Sequence, residues 1–188
     1  LLTMKKRDLT SQKVIQTYIA LADEASLREV TFPRIAERLG IKAPSLYNYF
    51  KNLSDLKVQT AIYLHTALYK RLTEELIGQN GGQALRTYAL VYRKFANDYH
   101  SVYELLNTIP SFDNDELASI GRKNNQIITK ILKSFSLSDK ELLIKSRAFR
   151  SLLNGYIILK QLGYFQNDRL NDEESFSSVI DEFITSIS

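Results

Sequence analysis

Two of the chain's three prolines, Pro33 and Pro44, flank Gly40, and that spacing permits only short helices joined by a tight turn. Ile35, Ala36 and Leu39 fall at helical spacing, Gly40 ends the run, and a second apolar pair follows at Leu46 and Phe50. Thr31 stands where an N-cap hydroxyl is wanted. Pro33 lies in the first turn, where a missing amide hydrogen has no helical partner in any case. Gly40 can take the left-handed conformation that closes a helix, with Ile41 packing back onto the last turn. The segment from Thr31 to Lys57 therefore predicts a capped support helix, a turn, and a second helix beginning near Ala43 or Pro44.

Each residue of an α-helix turns the side chain by about 100°. With Leu46 and Phe50 as the buried seam, Pro44, Ser45, Asn48 and Lys51 point away from it, and Tyr47 and Tyr49 flank it. Short hydroxyl and amide groups can meet base edges, while Lys and Tyr reach phosphate oxygens. An ordinary solvated face has the same composition.

The run IAERLGI followed by SLYNYF, with Leu56 downstream, resembles the DNA-binding domain of the TetR (tetracycline-repressor-like) family, whose pattern is I-A-x-x-x-G-(I/V) and then L-Y-x-(H/Y)-F. The match covers about 50 residues, from the helix around Val14 to Leu21 through Leu56, and the spacing of its halves is also the family's. The resemblance implies an all-α fold: a three-helix helix-turn-helix domain over residues 1–54 and a helical effector-binding and dimerisation domain over 55–188, about nine helices in all. The expected DNA-contacting set is Thr31, Lys42, Ala43, Pro44, Ser45, Tyr47, Asn48, Tyr49, Lys51 and Lys57. Many family members hold a phosphate with Lys at the first residue of the fourth helix. Here Leu53 stands there, leaving Lys51 or Lys57 to substitute.

Charge follows the same division. Residues 1–57 hold 10 Lys/Arg against 6 Asp/Glu, and residues 58–188 hold 15 against 15, so the net charge of +4 sits beside the helix-turn-helix. Lys5, Lys6 and Arg7 fit either a soluble tail or an arm that follows the DNA backbone. The chain has no cysteine, hence no disulfide or thiolate chemistry, and no run approaches the roughly 20 apolar residues of a membrane span. The opening LLTMKKRDLT lacks the apolar core of a secretory leader, so a cytoplasmic protein is expected. Asn52-Leu53-Ser54 matches a glycosylation sequon, as expected by chance at a helix boundary.

Beyond the motif, scarce glycine and proline and the lack of period-two alternation predict helices over about 55–77, 84–99, 102–108, 116–135, 140–162 and 172–187. The breaks are GQNGG at 78–82, Pro110 with SFDNDE, and a capping SLSD turn. ALRTYALVYRKFANDYHSVYELL, RAFRSLLNGYIILKQLGYF and DEESFSSVIDEFI are similar to a C-terminal subtype described by a Trp-His-Gly signature. The chain departs from it, with Asn154-Gly155 for His-Gly, Arg150 for the tryptophan, and Tyr99-His100 for His-Pro, so ligand chemistry attached to those residues does not transfer.

Tyr88, Tyr92, Phe95 and Tyr99 recur along one helix face, and Tyr103, Phe112, Phe149 and Tyr156 could converge on them to line an effector pocket. Plain core packing uses the same stripe. Leu143, Leu152, Leu153, Ile157, Phe176, Val179, Ile180 and Phe183 are the expected dimer surface, since the resembled family pairs its last two helices as a four-helix bundle. The implied function is a ligand-responsive regulator, a repressor by family default. Its partners are a small-molecule effector and a near-palindromic duplex operator, read as half-sites roughly 34 Å or more apart. A helical protein-binding adaptor is the other reading. Enzyme chemistry finds no footing. His65 and His100 are the only histidines, G-x-S-x-G is missing, GQNGG lacks the Lys-Ser/Thr of a phosphate loop, and neither a metal nor another cofactor is expected.

Overall fold

The computed structural model describes residues 9–107, 112–167 and 169–187. Seven α-helices are found among them: α1 Ser11–Glu24, α2 Phe32–Leu39, α3 Leu53–Glu75, α4 Gly81–Asp98, α5 Asp115–Leu132, α6 Asp139–Gln161 and α7 Asp172–Thr185. Three 3-10 segments, Leu27–Glu29, Ala43–Asn48 and His100–Asn107, complete the described elements. Leaving aside the single turn at Leu27–Glu29, this agrees with the expected count, and the chain is all-α among the described residues. Thr108 and Pro110, expected to end one helix, lie outside the described residues.

By contact the chain divides into two compact units. One holds the residues up to Ala67 together with Asp98–Gly121, and the other holds Leu68–Asn97 with the residues from Arg122 onward. In the first unit α1 packs on α2 and on His100–Asn107, and α2 packs on Ala43–Asn48. Val14, Tyr18, Ile35, Leu46, Phe50 and Leu56 form its core. The second unit is centred on Leu72, Leu85, Phe95, Leu132, Phe149, Leu153 and Phe176. The continuous helix α3 buries Leu56 and Leu64 in the first unit and Leu68 and Leu72 in the second.

Local chemistry explains the element ends. Gly40 sits at φ 64°, ψ 33°, its amide donates to Glu37 O at 3.1 Å, and the Ile41 amide donates to Ala36 O at 3.0 Å. That paired arrangement is the Schellman closure, and it satisfies two carbonyls that the end of α2 would otherwise leave open. Ser138 forms a full capping box on α6: its hydroxyl accepts from the Glu141 amide at 3.4 Å and Glu141 Oε2 accepts from the Ser138 amide at 2.8 Å. The break after α3 covers residues 76–80, as long as GQNGG but two residues earlier, because α3 ends at Glu75 and Gly81 and Gly82 already belong to α4. A Cβ built on Gly82 would lie 2.9 Å from Ile184 Cγ2, so glycine there admits the α7 side chain.

Two local expectations are corrected. Thr31 has the extended backbone of an N-cap and its carbonyl accepts from the Ile35 amide at 3.0 Å, but its hydroxyl makes no capping bond. A capping oxygen is normally served by the second or third helical amide, and Pro33 removes the former. The second helix of the motif is a 3-10 segment rather than an α-helix, held by Ser45 N to Lys42 O and Tyr49 N to Leu46 O, both 2.9 Å. At three residues per turn, positions three apart eclipse, so Ala43, Leu46 and Tyr49 share the inward side. Tyr49 therefore turns inward with Leu46.

Candidate nucleic-acid interface

On the outer side of this motif Thr31, Lys42, Pro44, Tyr47, Asn48 and Lys51 are exposed, and Ala43, Ser45, Tyr49 and Lys57 are half-buried. Tyr47 is 60% exposed although its ring meets that of Phe32 edge-on, centroids 5.2 Å apart at 65°. Buried Phe32 thus props an exposed phenol, and an edge-to-face pair adds orientation to the burial. Lys51 is placed by its backbone. Its amide donates to Asp55 Oδ2 at 2.8 Å, while the Asp55 amide donates to Asn52 Oδ1 at 2.9 Å. Asn52 therefore caps α3, which gives the sequon residue a structural role. Arg38 forms a two-armed pair with Glu24 at 2.8 and 2.5 Å, tying α2 to α1. The hydrogen bond from Arg38 holds the Glu24 carboxyl below the usual carboxylate range.

The Tyr49 hydroxyl donates to the Leu9 carbonyl oxygen at 2.9 Å, so this member of the expected contact set is engaged within the protein. Nothing in the motif's periodicity signals that bond; it joins residues 40 positions apart. Behind α1, the Ser101 hydroxyl donates to Asp23 Oδ1. Tyr18 is fully buried, and burial with Glu104 nearby drives its phenol far above its ordinary pKa.

Of the eight expected pocket residues, five lie in the second unit and three in the first. Tyr88 is buried, stacks on Tyr92 at 6.0 Å and meets Phe149 at 5.9 Å; Phe149 continues to Phe183 at 5.0 Å. Burial pushes the Tyr88 phenol well above its ordinary value. The Tyr92 hydroxyl donates to Asn154 Oδ1 at 3.2 Å, linking α4 to α6 at the Asn-Gly pair. Tyr156 belongs to another cluster, with Phe176 at 5.1 Å and Phe165 at 5.0 Å. Phe95 is buried under the Arg71 guanidinium, 5.1 Å from the ring centroid. Tyr99, Tyr103 and Phe112 fall in the first unit. A groove between α4 and α7 is lined by Arg86, Ala89, Leu90, Phe176, Ile180 and Asp181.

Of the expected dimer residues, Leu153, Ile157, Phe176, Ile180 and Phe183 are buried within the chain's own second unit. They are the inward stripes of α6 and α7. Leu152 and Val179 are half-buried, and Leu143 is exposed. The outward apolar side chains of α6 are Leu143, Ile144, Ile158 and Leu159, with Leu162 just past its end. Between them Ala148, Ser151 and Gly155 continue the Ile144–Ile158 stripe at four- and three-residue steps, and nothing lies within 4 Å of a Cβ built on Gly155.

One network had no sequence signal. Arg93 on α4 donates to Asp172 Oδ2 at 2.7 Å and to Glu173 Oε2 at 3.0 Å, and its guanidinium lies 4.7 Å from the Phe176 ring centroid. Asp172 also accepts from the Tyr156 hydroxyl at 3.0 Å and pairs with Lys160 at 3.8 Å. The Arg93 side chain is only 14% exposed. Removing it leaves the partly buried Asp172 with only the Tyr156 hydroxyl and the more distant Lys160, so Arg93→Ala is expected to destabilise the protein by about 1 to 2 kcal/mol in urea unfolding. Arg93→Lys should restore only part, because an ammonium cannot bridge both carboxylates in the same fork.

Among the described residues no group of three His, Cys, Asp or Glu could hold a metal ion, and no helix is long and apolar enough to cross a membrane.

Residues 18–56 match the family model for bacterial regulatory proteins of the tetR family, and residues 85–183 match that for the tetracyclin repressor-like C-terminal domain. The chain is 24% identical over 183 residues to the uncharacterized HTH-type transcriptional regulator YobS of Bacillus subtilis, covering 95% of this chain and 93% of that protein. Among solved structures, a Rhodococcus sp. RHA1 protein of unknown function has a TM-score of 0.82 at 11% identity, with 94% of each chain covered. A TetR variant from Acinetobacter baumannii, in complex with minocycline, has a TM-score of 0.70 at 20% identity, covering 95% of this chain and 96% of that one. At these identities the structural likeness shows the fold.

Proposed function

The chain belongs to the tetR family of bacterial regulatory proteins, and from that premise we propose that it is a ligand-responsive repressor, released from a near-palindromic operator by a small molecule. Residues 1–54 act as the DNA-reading part and residues 55–188 as the effector-binding and dimerisation part. The observation that carries the reading is the outer side of the motif. There a propped Tyr47 phenol, the Asn48 amide and the Lys51 ammonium stand together on an exposed surface backed by the buried Leu46 and Phe50. Those are groups that position a protein on phosphates and touch base edges.

Two copies are joined in this reading through the outward apolar stripe of α6, with Leu143, Leu152 and Val179 at its margin. Its small central residues let two helices approach closely. The dimer then sets two reading heads for half-sites one helical turn or more apart. Helix α3 is the transmitting element. It starts at the Asn52–Asp55 cap beside Lys51 and continues to Glu75 in the second unit. An effector acts only by binding one head spacing more tightly than the other.

Gel mobility shift on the DNA upstream of its own gene, with competitor DNA present, tests this. Tyr47→Ala and Lys51→Ala are each expected to weaken binding about 5- to 10-fold, with thermal melting unchanged for exposed Lys51 and lowered only slightly for Tyr47, whose ring also packs on Phe32. Wild-type affinity for that DNA in the presence of both variants would be evidence against the assigned face. A screen in which no small molecule alters affinity, with dimer and DNA binding intact, would remove the effector switch.

A further inference from the structure

Between the 3-10 segment Ala43–Asn48 and α3 the chain makes a short corner, and Lys51 stands on it. The corner is fixed on both sides. Phe50 is buried and its amide donates to Leu46 O at 3.0 Å. Asn52 caps α3, its Oδ1 accepting from the Asp55 amide at 2.9 Å and its carbonyl from the Leu56 amide at 3.1 Å. Asp55 closes the clasp, because its Oδ2 accepts from the Lys51 amide at 2.8 Å. In a capping box the third helical side chain reaches back to the amide of the cap residue itself. Here it reaches one residue further, to Lys51.

That reach decides what Lys51 has left to offer. With its amide engaged, it can meet an acceptor only through its ammonium, which is exposed and has no ion-pair partner among the described residues. A lysine stem is flexible, so the region its ammonium samples is set by where the backbone holds the residue. Asp55 also brings a negative charge to a face that is to meet phosphates, where the charge by itself opposes binding. A carboxylate in the first turn supports α3 in any case, so a capping role and a role toward Lys51 have to be told apart.

We infer that Asp55 is a positioning residue for DNA binding: it pins the Lys51 backbone so that the ammonium meets one phosphate beside the 3-10 segment. The inference rests on the DNA-binding reading above and adds to it the group that places this contact. A phosphate contact carries no sequence information but fixes register, so Asp55 acts on where along the duplex Tyr47 and Asn48 meet the bases.

The test compares Asp55→Asn with Asp55→Ala in the full chain, with Lys51 present and again with Lys51→Ala, by fluorescence anisotropy on the upstream duplex over a salt series. Both substitutions remove the same charge, and only Asn keeps an acceptor oxygen for the Lys51 amide. With Lys51 present, Asp55→Ala should bind about 3- to 10-fold more weakly than Asp55→Asn, because the freed corner must be ordered again on the DNA. Its slope of log affinity against log salt should be flatter by up to about 0.9, the share of one phosphate contact. With Lys51→Ala the two variants should agree within about two-fold.

Equal affinities of the Asn and Ala variants with Lys51 present would overturn the proposal. So would a gap of the same size without Lys51, which would leave Asp55 as a helix cap alone. Thermal melting by circular dichroism reports whether Asp55→Ala folds; if it does not, Asp55→Ser takes its place, its hydroxyl oxygen lying one bond short of the carboxylate's. An unchanged salt slope in Lys51→Ala, with specific binding intact, overturns the proposal and leaves the DNA-binding reading standing. If the unaltered protein binds no DNA, that reading falls as well.

Discussion

Phe50→Ala should cost the protein about 3 to 5 kcal/mol, the range found when a fully packed phenylalanine is truncated. Phe50 is 2% exposed, its amide donates to Leu46 O at 3.0 Å, and it shares the first unit's core with Leu46, Ile35 and Leu56, each 0% exposed. Truncation removes transfer free energy and leaves a cavity that these neighbours can only partly fill. The loss is large against the roughly 5 to 15 kcal/mol that separates a folded domain from its unfolded chain. A six-residue 3-10 segment cannot hold itself in water, so its direction depends wholly on this seam. Phe50→Ala should therefore lose specific DNA binding together with fold, whereas Tyr47→Ala loses binding with only the small stability cost of its contact with Phe32. Urea unfolding followed by far-UV circular dichroism checks the first half. A midpoint shift worth less than about 1 kcal/mol would mean that something other than this seam holds the segment.

The second large effect is a dependence on pH. His65 on α3 is 6% exposed, and burial lowers its pKa to about 4, against the opposing pull of a hydrogen bond to the Leu106 backbone. In the unfolded chain the same imidazole takes its proton near 6.5. Between those two values the unfolded state binds more protons than the folded state, so stability rises with pH there and falls on acidification. The full difference amounts to about 3 kcal/mol, of which about 2 kcal/mol should already be lost between pH 7.5 and pH 5. His65→Gln keeps an amide donor for Leu106 but cannot titrate. Its stability should therefore fall about 2 kcal/mol less than the unaltered protein's across that interval. Carboxylates such as Glu24 add their own acid sensitivity, and the difference between the two proteins cancels it. Parallel stability curves would contradict the assignment.

What could be read from the sequence was local. Gly40 with Ile41, and Ser138 with Glu141, act across a few residues. Their spacing therefore announces the Schellman closure and the capping box that the structure contains. The match of IAERLGI and SLYNYF to a known family was equally legible, because both halves lie on one short stretch of chain. Periodicity could not report the tighter winding of Ala43–Asn48, which depends on a few backbone bonds near Pro44. It therefore left Tyr49 on a flank from which the structure turns it inward. The Arg93 network was invisible for a different reason, since its partners lie about 80 positions away and nothing local distinguishes Arg93 from a solvated cation. On α6 apolar residues occur on both sides of the helix. Helical periodicity alone therefore could not separate inward Leu153 and Ile157 from outward Ile144 and Ile158.

The exposed face around Tyr47, Asn48 and Lys51 is proposed to read duplex DNA. It is tested most directly by titrating the protein against its upstream duplex and a scrambled duplex of equal length, at low and at physiological salt. The upstream duplex should be bound at least about 1,000-fold more tightly at physiological salt, the lower end for specific binders. Both affinities should fall steeply as salt rises, and the preference should shrink in Tyr47→Ala. Equal affinity for the two duplexes, or a preference that Tyr47→Ala and Lys51→Ala leave untouched, would contradict it.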